Sequence, residues 1–313
     1  MKLNKKIFVF LIISIIVYAS FLILSDFNKL ADKITDFKIE YLPLILILVP
    51  LGWLAMYARW VFLLRNLNYI LPHKQNFKIF LSGFALSVTP GKVGELLKCQ
   101  LLKDSFDVPK KITAPVILIE RFYNAIGIVI ISIFGIWFFD FSGIVILITA
   151  CILVITFILL RSKKLFSSLI QKTSKIKFLS KFSNSFSDSY DVINLSIKPK
   201  IFIVSSLFSA SYWILESISV YYIFESFGIN FIELYQVIIT YATSIILGVA
   251  SFIPAGIGVF EGTLIGLLSI QGLTISSAIS LTIFVRVFTL WYSVLVGFFA
   301  LKFSGALSLN SDQ

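Results

Sequence analysis

The chain alternates between long apolar runs and short polar stretches. A helix needs about 20 apolar residues to cross the hydrocarbon core of a bilayer. Six runs approach or exceed that length, at residues 7–24, 42–64, 113–138, 142–160, 201–224 and 278–301. The pattern therefore predicts an all-α, polytopic membrane protein with six full spans.

Two further apolar stretches are interrupted by proline and glycine. Residues 77–102 break at Pro90-Gly91, and residues 236–271 break at Pro254-Ala255-Gly256. Non-helical backbone at membrane depth is tolerated only inside protein or beside a wet cavity. We therefore predict two re-entrant helix pairs, which bring the apolar segments to eight. Residues 236–253 approach full-span length, so the second pair could instead be two spans.

Composition supports this class of protein. The 313 residues are 58% hydrophobic and 14% charged, whereas a soluble domain has about 45–50% apolar and about 25% charged residues. Lysines precede the first apolar run as in a signal peptide, but no small-residue cleavage site follows it. We predict a retained first span and a single integral membrane domain over residues 1–313.

The basic residues predict how the chain is oriented. With a cytoplasmic N terminus and both broken segments returning to the side they entered, 21 of the 27 Lys and Arg lie on the inner side. The positive-inside rule then places both termini in the cytoplasm. We expect a multi-pass protein of the plasma membrane.

This topology predicts an inverted repeat. Each half has two spans, a broken pair and one more span, in opposite orientations, with repeats at about 7–138 and 142–301. Each broken motif carries a glutamate, Glu95 or Glu261. An arginine follows the motif proline in each half, 31 residues after Pro90 and 32 after Pro254. Such repeats in transporters place the substrate near the bilayer midplane.

Two amphipathic stretches lie between the spans. Residues 26–41 have the spacing of a helix on the outer surface. Residues 161–200 carry nine Lys and Arg, with Phe178, Phe182 and Phe186 at helical spacing. We expect this basic loop to lie against anionic lipids of the inner leaflet. An ordinary cytoplasmic loop explains the same charges.

Several kinds of chemistry are excluded. His73 is the only histidine, and the two cysteines, Cys99 and Cys151, lie in different segments, so no metal cluster or disulfide framework is expected. No nucleotide-binding glycine motif is present, and we expect no cofactor. The net charge of +11 is typical of cytoplasmic loops in a membrane protein, so no nucleic-acid partner is expected.

Charged residues inside the apolar segments are the main functional candidates. Each costs about 2.5–3.5 kcal/mol at the centre of a helix, so such residues usually face a partner or a cavity. They are Arg59, Glu95, Glu120, Arg121, Glu216, Glu261 and Arg286. The near balance of sign predicts internal ion pairs, which are either purely structural or line a polar central cavity. The partners cannot be assigned from one sequence.

The broken segments suggest a second anion-binding element. Proline fits the first turn of a helix, so we expect returning helices to begin at Pro90 and Pro254. Their free N–H groups would point toward the bilayer centre and attract anions such as phosphate. The flanking glycines, Gly91, Gly94 and Gly256, could let a headgroup approach the backbone.

The returning helices also have distinct faces. Lys92, Glu95 and Lys98 share one face of the first, which is therefore polar on that side. In the second, Gly258, Gly262 and Gly266 recur every four residues. Such a ridge favours close helix packing, although Gly258 remains a ligand candidate.

These motifs resemble a known family. The run from Thr89 to Lys98, the pair Glu120-Arg121, the run from Ile253 to Gly262, and Arg286 look like the lysylphosphatidylglycerol synthase transmembrane region family, also called flippase-like. The resemblance implies two opposed re-entrant elements. In bifunctional relatives this region moves an aminoacylated phospholipid, and a separate soluble domain attaches the amino acid. Few residues follow the last predicted span, so we expect no synthase domain here. Other relatives accompany glycosyltransferases.

We therefore expect a lipid flippase that binds a phosphate-bearing headgroup in a central polar cavity. The lipid would be a phospholipid or a polyprenyl-linked lipid. Arg121 and Arg286 would bind the phosphate, while the four glutamates would pair with these arginines or with a cationic headgroup. The predicted substrate-binding residues are Pro90, Gly91, Gly94, Glu95, Lys98, Glu120, Arg121, Glu216, Pro254, Gly256, Gly258, Glu261 and Arg286.

Two alternatives remain. A membrane-embedded transferase or subunit in lipid aminoacylation or lipid-linked glycan synthesis would use Glu95 or Glu261 as general base. A scaffold would hold a separate soluble synthase or glycosyltransferase through the basic loop.

Overall fold

The structure is a computed structural model of the chain. It describes residues 37–89, 95–135, 137–138, 140–174 and 189–303. Residues 169–174 are described by their backbone only. The described part consists of helices and the turns that connect them and contains no strand, which confirms an all-α protein.

Six α-helices form the first half of the described chain. A 3₁₀ turn, Ile39–Tyr41, leads into the first helix, and a second 3₁₀ segment, Gly83–Leu86, continues the second helix. The helices are α1 (Leu42–Asn66), α2 (His73–Ser82), α3 (Leu97–Phe106), α4 (Lys110–Ser132), α5 (Asp140–Arg161) and α6 (Lys163–Ser174).

The second half begins with a helical stretch at 189–196, and five α-helices follow it in the described part of the chain. A π-helical segment, Val287–Trp291, joins the last two into one continuous helix. The helices are α7 (Pro199–Ser226), α8 (Leu234–Ala250), α9 (Val259–Ile270), α10 (Ile275–Arg286) and α11 (Tyr292–Phe303).

Five helices in the described part are long and apolar enough to cross a membrane, and they match five of the six predicted spans. They run over Ile39–Asn66, Lys110–Ser132, Phe141–Arg161, Pro199–Ser226 and Ile275–Phe303. The first predicted span, residues 7–24, and most of the stretch 26–41 lie outside the described residues. The polytopic class is therefore confirmed, while the first span stays a prediction.

The fourth helix ends earlier than its apolar run. The sequence run continues to residue 138, but α4 ends at Ser132 and the chain turns through Gly135. A Cβ on Gly135 would lie 2.6 Å from the carbonyl oxygen of Tyr235. The apolar residues beyond Ser132 therefore belong to a turn that packs closely on the start of α8.

Both broken segments are present as shorter helices. In the first, α2 and its 3₁₀ extension precede the break, and α3 follows it. In the second, α8 has 17 residues and α9 has 12. At 1.5 Å per residue, α8 is about 26 Å long, so this arm approaches the bilayer thickness.

The second returning helix does not begin at its proline. Pro254 starts a 3₁₀ turn that ends at Gly256, Ile257 is extended, and α9 begins at Val259. The expectation of a helix starting at Pro254 is wrong because Ala255, Gly256 and Gly258 have positive φ, which a right-handed helix does not allow. The corresponding start at Pro90 lies outside the described residues.

The helix α7 is central, packing against both α1 and α4. Small residues on its buried side, including Ser205, Ser209 and Ala210, permit this close contact. A Cβ on Gly127 of α4 would lie 2.6 Å from the carbonyl carbon of Ser209. The two backbones therefore touch at this level.

Buried apolar side chains form two clusters, one around each broken segment. Trp60, Phe80 and Leu102 belong to the first, and Phe224, Tyr241 and Phe260 belong to the second. The helices on both sides of each break therefore contribute to a buried apolar core. The boundaries of the two repeats remain a prediction.

Candidate functional site

Five charged side chains from three elements meet in one buried group, which we call the Arg121 cluster. Its members are Arg59 of α1, Glu95 and Lys98 at the start of the returning arm, and Glu120 and Arg121 of α4. The pairing predicted from the balance of charges at membrane depth is therefore present.

Glu120 is the central anion of the cluster. Its Oε2 accepts a hydrogen bond of 2.8 Å from Lys98 Nζ, and its Oε1 lies 3.6 Å from Arg59 Nη2. All three side chains are at least 97% buried. An ion in such surroundings is tolerated only when it is paired, because the cost of removing it from water is several kcal/mol.

Lys98 lies in an aromatic environment. Its Nζ is 4.4 Å from the centre of the Trp60 ring and 5.3 Å from that of Phe80. A Cβ on Gly83 would lie 3.0 Å from the Cδ of Lys98, so this glycine leaves space for the aliphatic stem. Cation–π contact and ion pairing together fix the position of the ammonium group.

Arg59 joins the cluster to α7. Its Nη1 donates to Asn124 Oδ1 at 2.6 Å and to the hydroxyl of Ser209. Asn124 lies one helical turn after Glu120, so both face α1. This arginine was a candidate for a buried charge but was not among the predicted binding residues.

Arg121 differs from the other members in exposure. Its Nη2 contacts Glu95 Oε2, yet a quarter of its side chain is exposed. Glu95 also lies 3.6 Å from Lys98 Nζ. Among the described members, three cations against two carboxylates give the Arg121 cluster a formal charge of +1, and Arg121 is the member whose side chain is partly exposed.

A second group surrounds the other break, and we call it the Arg286 cluster. Arg286 Nε donates to Glu261 Oε1 at 2.7 Å, and Arg286 Nη2 donates to the carbonyl of Ala255 at 3.0 Å. The guanidinium carbon also lies 3.7 Å from the centre of the Phe260 ring. Arg286 thus binds the turn and the following helix together.

The positive end of α9 already carries an anion from its own chain. The N–H of Gly258, which caps the helix, donates to Glu261 Oε2 at 2.7 Å. A carboxylate at this end is stabilised by the helix dipole. An external phosphate would therefore have to compete with Glu261 for this end.

Glu216 is the remaining buried carboxylate, and Oε1 of its side chain accepts a hydrogen bond of 3.1 Å from the hydroxyl of Tyr241. We count it with the Arg286 cluster because Phe260 of that cluster packs edge-on against the Tyr241 ring, with centroids 5.9 Å apart.

Trp213 of α7 connects the two clusters. Its Nε1 donates to the backbone carbonyl of Asn124 at 2.8 Å, and its ring lies 6.4 Å from that of Tyr241. Sequence reasoning missed Trp213, Asn124 and Tyr241. Only the position of Asn124, four residues after Glu120, gave a signal, because tryptophan and tyrosine are common throughout apolar segments.

The structure shows what surrounds the glycines near the second break. A Cβ on Gly256 would lie 2.8 Å from Gly248 Cα, so its missing side chain allows the turn to pack on α8. Within the described part of the chain, nothing lies within 4 Å of a Cβ on Gly258, Gly262 or Gly266. Close helix packing on this ridge therefore stays a prediction.

The predicted site residues thus fall into two groups. The structure brings Glu95, Lys98, Glu120 and Arg121 together in one cluster, and Gly258, Glu261 and Arg286 in the other, with Pro254 and Gly256 in the adjoining turn. Pro90, Gly91 and Gly94 lie outside the described residues. Substrate binding at the predicted residues stays a prediction.

The fold and the charges define a polytopic helical membrane protein with ion pairs buried beside two broken helices. Residues 11–297 match the lysylphosphatidylglycerol synthase TM region family. The chain therefore belongs to that family.

A curated relative agrees with this assignment. A UPF0104 membrane protein of Methanocaldococcus jannaschii is 24% identical over 226 residues, covering 68% of this chain and 91% of the relative. The expected family is thus confirmed over most of the sequence.

Proposed function

We propose that the protein is a lipid translocator and that Arg121 is its first contact with the phosphate of a lipid headgroup. The observation that carries the proposal is the partial exposure of Arg121 at the edge of a buried cluster with a formal charge of +1. An arginine presents paired donors that match a phosphate geometrically.

Binding would exchange one anion for another at Arg121. A phosphate that replaces Glu95 at this guanidinium leaves Glu95 with Lys98, 3.6 Å away. The carboxylate therefore keeps a cationic neighbour, and the exchange avoids the large cost of an unpaired buried charge. Glu95 would act as a substitute anion when no headgroup is bound.

The formal charge also favours one kind of headgroup. A phosphodiester carries one negative charge and would bring the Arg121 cluster to neutrality. A phosphate monoester with two charges would leave an excess negative charge in surroundings of low polarity, which is costly. We propose a phosphodiester lipid such as a phospholipid as the preferred cargo, ahead of a polyprenyl monophosphate.

The Arg286 cluster would serve the second half of the path. Its side chains are more enclosed, and Arg286 already has three partners in Glu261, Ala255 and Phe260. We propose that Glu216 and Glu261 receive a cationic part of a headgroup when the lipid carries one.

The orientation belongs to the same proposal. We propose a multi-pass protein of the plasma membrane with both termini in the cytoplasm, on the distribution of Lys and Arg between loops. In this orientation, a headgroup from one leaflet would enter beside the first break, and a headgroup from the other leaflet would enter beside the second.

The transferase alternative is weaker on these contacts. A general base needs a carboxylate that is free to take a proton. Glu95 contacts Arg121 and Lys98, and Glu261 contacts Arg286. Turnover of a lipid by the purified chain alone would favour this alternative. Copurification of a soluble enzyme that is lost on removing the basic loop would favour a scaffold.

The proposal is tested by lipid movement in proteoliposomes. Fluorescent phosphatidylglycerol and fluorescent polyprenyl phosphate are reconstituted in parallel, and their transfer between leaflets is followed by quenching of the accessible dye. We expect Arg121→Gln to slow phosphatidylglycerol by about tenfold or more, because a hydrogen bond to a charged group contributes about 1.5–3 kcal/mol.

Arg65→Gln is the matched control, since Arg65 is exposed at the end of α1. Its rate should equal that of the wild type. The double variant Arg121→Gln, Arg286→Gln tests both clusters together. If it folds and moves both lipids at the wild-type rate, neither arginine serves the headgroup and the proposal is wrong.

A further inference from the structure

An apolar groove lies between the ends of two spans, and none of the residues that line it belongs to either charged cluster. Its volume is about 260 Å³. It is formed where α5 ends and α7 begins, with residues of the preceding turn on one side. The lining residues are Phe157, Arg161, Ile197, Pro199, Phe202 and Ile203.

The groove has firmly held walls. The rings of Phe157 and Phe202 pack edge to face with centroids 5.1 Å apart. The hydroxyl of Tyr123 donates to the carbonyl of Ser196 at 2.7 Å, and that of Tyr190 donates to the carbonyl of Arg161 at 3.0 Å. These contacts fix the two span ends relative to each other, so the groove is part of the fold.

Positive charge surrounds one end of the groove. Arg161 is the last residue of α5, and Lys198 precedes the first residue of α7. The neighbouring cations Lys163, Lys164 and Lys200 are also exposed. In the described segments 161–174 and 189–200, Asp191 is the one acidic residue. This end therefore combines an apolar surface with a basic rim at the level where the spans leave the membrane.

We propose that this groove binds an acyl chain of an anionic glycerophospholipid of the cytoplasmic leaflet, with the phosphate of that lipid at Arg161. The apolar lining suits the chain, and the basic rim suits the headgroup. The lipid would be a resident ligand, distinct from any cargo at Arg121. The inference therefore stands independently of the proposed translocation.

Native mass spectrometry of the purified protein in mild detergent tests this assignment. The probes are dioleoyl phosphatidylglycerol and dioleoyl phosphatidylcholine, added separately at increasing concentration. We expect the wild type to retain one phosphatidylglycerol with clear preference over phosphatidylcholine. Removing one interfacial cation should reduce that preference about fivefold in Arg161→Gln, as expected for one basic residue near an anionic lipid.

A second variant fills the groove itself. Ile203 is 58% exposed and lines the groove, so Ile203→Trp should abolish the retained lipid of either headgroup without disturbing the interior. Ile214→Trp is the matched control, because Ile214 is 40% exposed on the same helix and face. It lies three turns, about 16 Å, farther along.

Each result of the lipid-retention experiment either supports or overturns the proposal. Equal lipid retention by Ile203→Trp and Ile214→Trp would overturn the groove as the binding site. An unchanged headgroup preference in Arg161→Gln, judged against Lys110→Gln as a charge control, would overturn the anionic assignment. A wild type that retains neither lipid would overturn the proposal. A protein segment would then be the alternative occupant of the groove.

Discussion

At the scale of single residues, Glu120 has the most demanding position in the molecule. It is the shared anion of Lys98 and Arg59, both of which are almost completely buried. Removing its charge leaves two cations in apolar surroundings with only more distant or neutral partners. The ion pair of Arg59 and the shorter ion pair of Lys98 therefore depend on this one carboxylate.

We predict that Glu120→Gln destabilises the protein by about 3–5 kcal/mol, the usual cost of removing one partner from a buried pair. Thermal unfolding of the purified protein in detergent measures the effect. Glu40→Gln is the control because Glu40 is exposed in the turn before α1, and its melting temperature should not change. A Glu120→Gln protein as stable as this control would contradict the assignment.

The sequence predicted that these charged residues would form ion pairs, but it did not identify the partners in each pair. Lys98 and Glu120 are 22 residues apart, and Arg59 and Asn124 are 65 apart. Such partners are decided by how the helices pack, which one sequence does not specify. The partial exposure of Arg121 is equally a property of the assembled helices.

At the scale of helices, the last span is held against the first broken segment by one glycine. A Cβ on Gly297 would lie 2.2 Å from the backbone nitrogen of Ala85, in the 3₁₀ segment before the break. The atoms nearest to this Cβ are backbone atoms of Phe84 and Ala85 and the Cβ of Phe84. The clash could therefore not be relieved by rotation of a flexible side chain. The broken arm therefore keeps its position partly because α11 can approach its backbone.

We predict that Gly297→Ala destabilises the protein by about 1–3 kcal/mol through overpacking. Gly266→Ala is the matched control, since nothing lies within 4 Å of its added Cβ and alanine is favoured over glycine in a helix by about 1 kcal/mol. Thermal unfolding should therefore separate the two variants in opposite directions. Similar melting temperatures would show that the contact at Gly297 is readily relieved.

The presence of each helix was far easier to predict from the sequence than the residues at which it begins and ends. A long apolar run specifies a span because the bilayer demands one, and five runs correspond to helices. The end of α4 depended on a contact of Gly135 with the distant Tyr235, and the start of α9 depended on the positive φ angles of Ala255, Gly256 and Gly258. The sequence indicated a break at Pro254-Ala255-Gly256, but it specified neither these angles nor the contact of Gly135.

At the scale of the whole molecule, the direction of each span follows from the predicted orientation. If the N terminus is cytoplasmic, the basic segment after Arg161 lies inside and the acidic segment between α7 and α8 lies outside. The groove at Arg161 then faces the cytoplasmic leaflet. The Arg121 and Arg286 clusters would be entered from opposite sides.

We predict that a fluorescent protein fused after residue 313, or inserted in 175–188, will fluoresce in the cytoplasm. Alkaline phosphatase inserted after Gly228 should instead be active, because that turn is expected on the outer side. The same alkaline phosphatase inserted in 175–188 serves as the inactive control. Activity in both positions would require a different topology.

The position of Arg59 in the chain has a consequence for biosynthesis. It enters the membrane in α1, whereas Glu120, its ionic partner, is made 61 residues later, and Ser209 is made 150 residues later. Until Glu120 arrives, the ribosome has delivered an arginine without this counter-ion to the insertion machinery. We therefore expect α1 to stay shielded from lipid until α4 has been made.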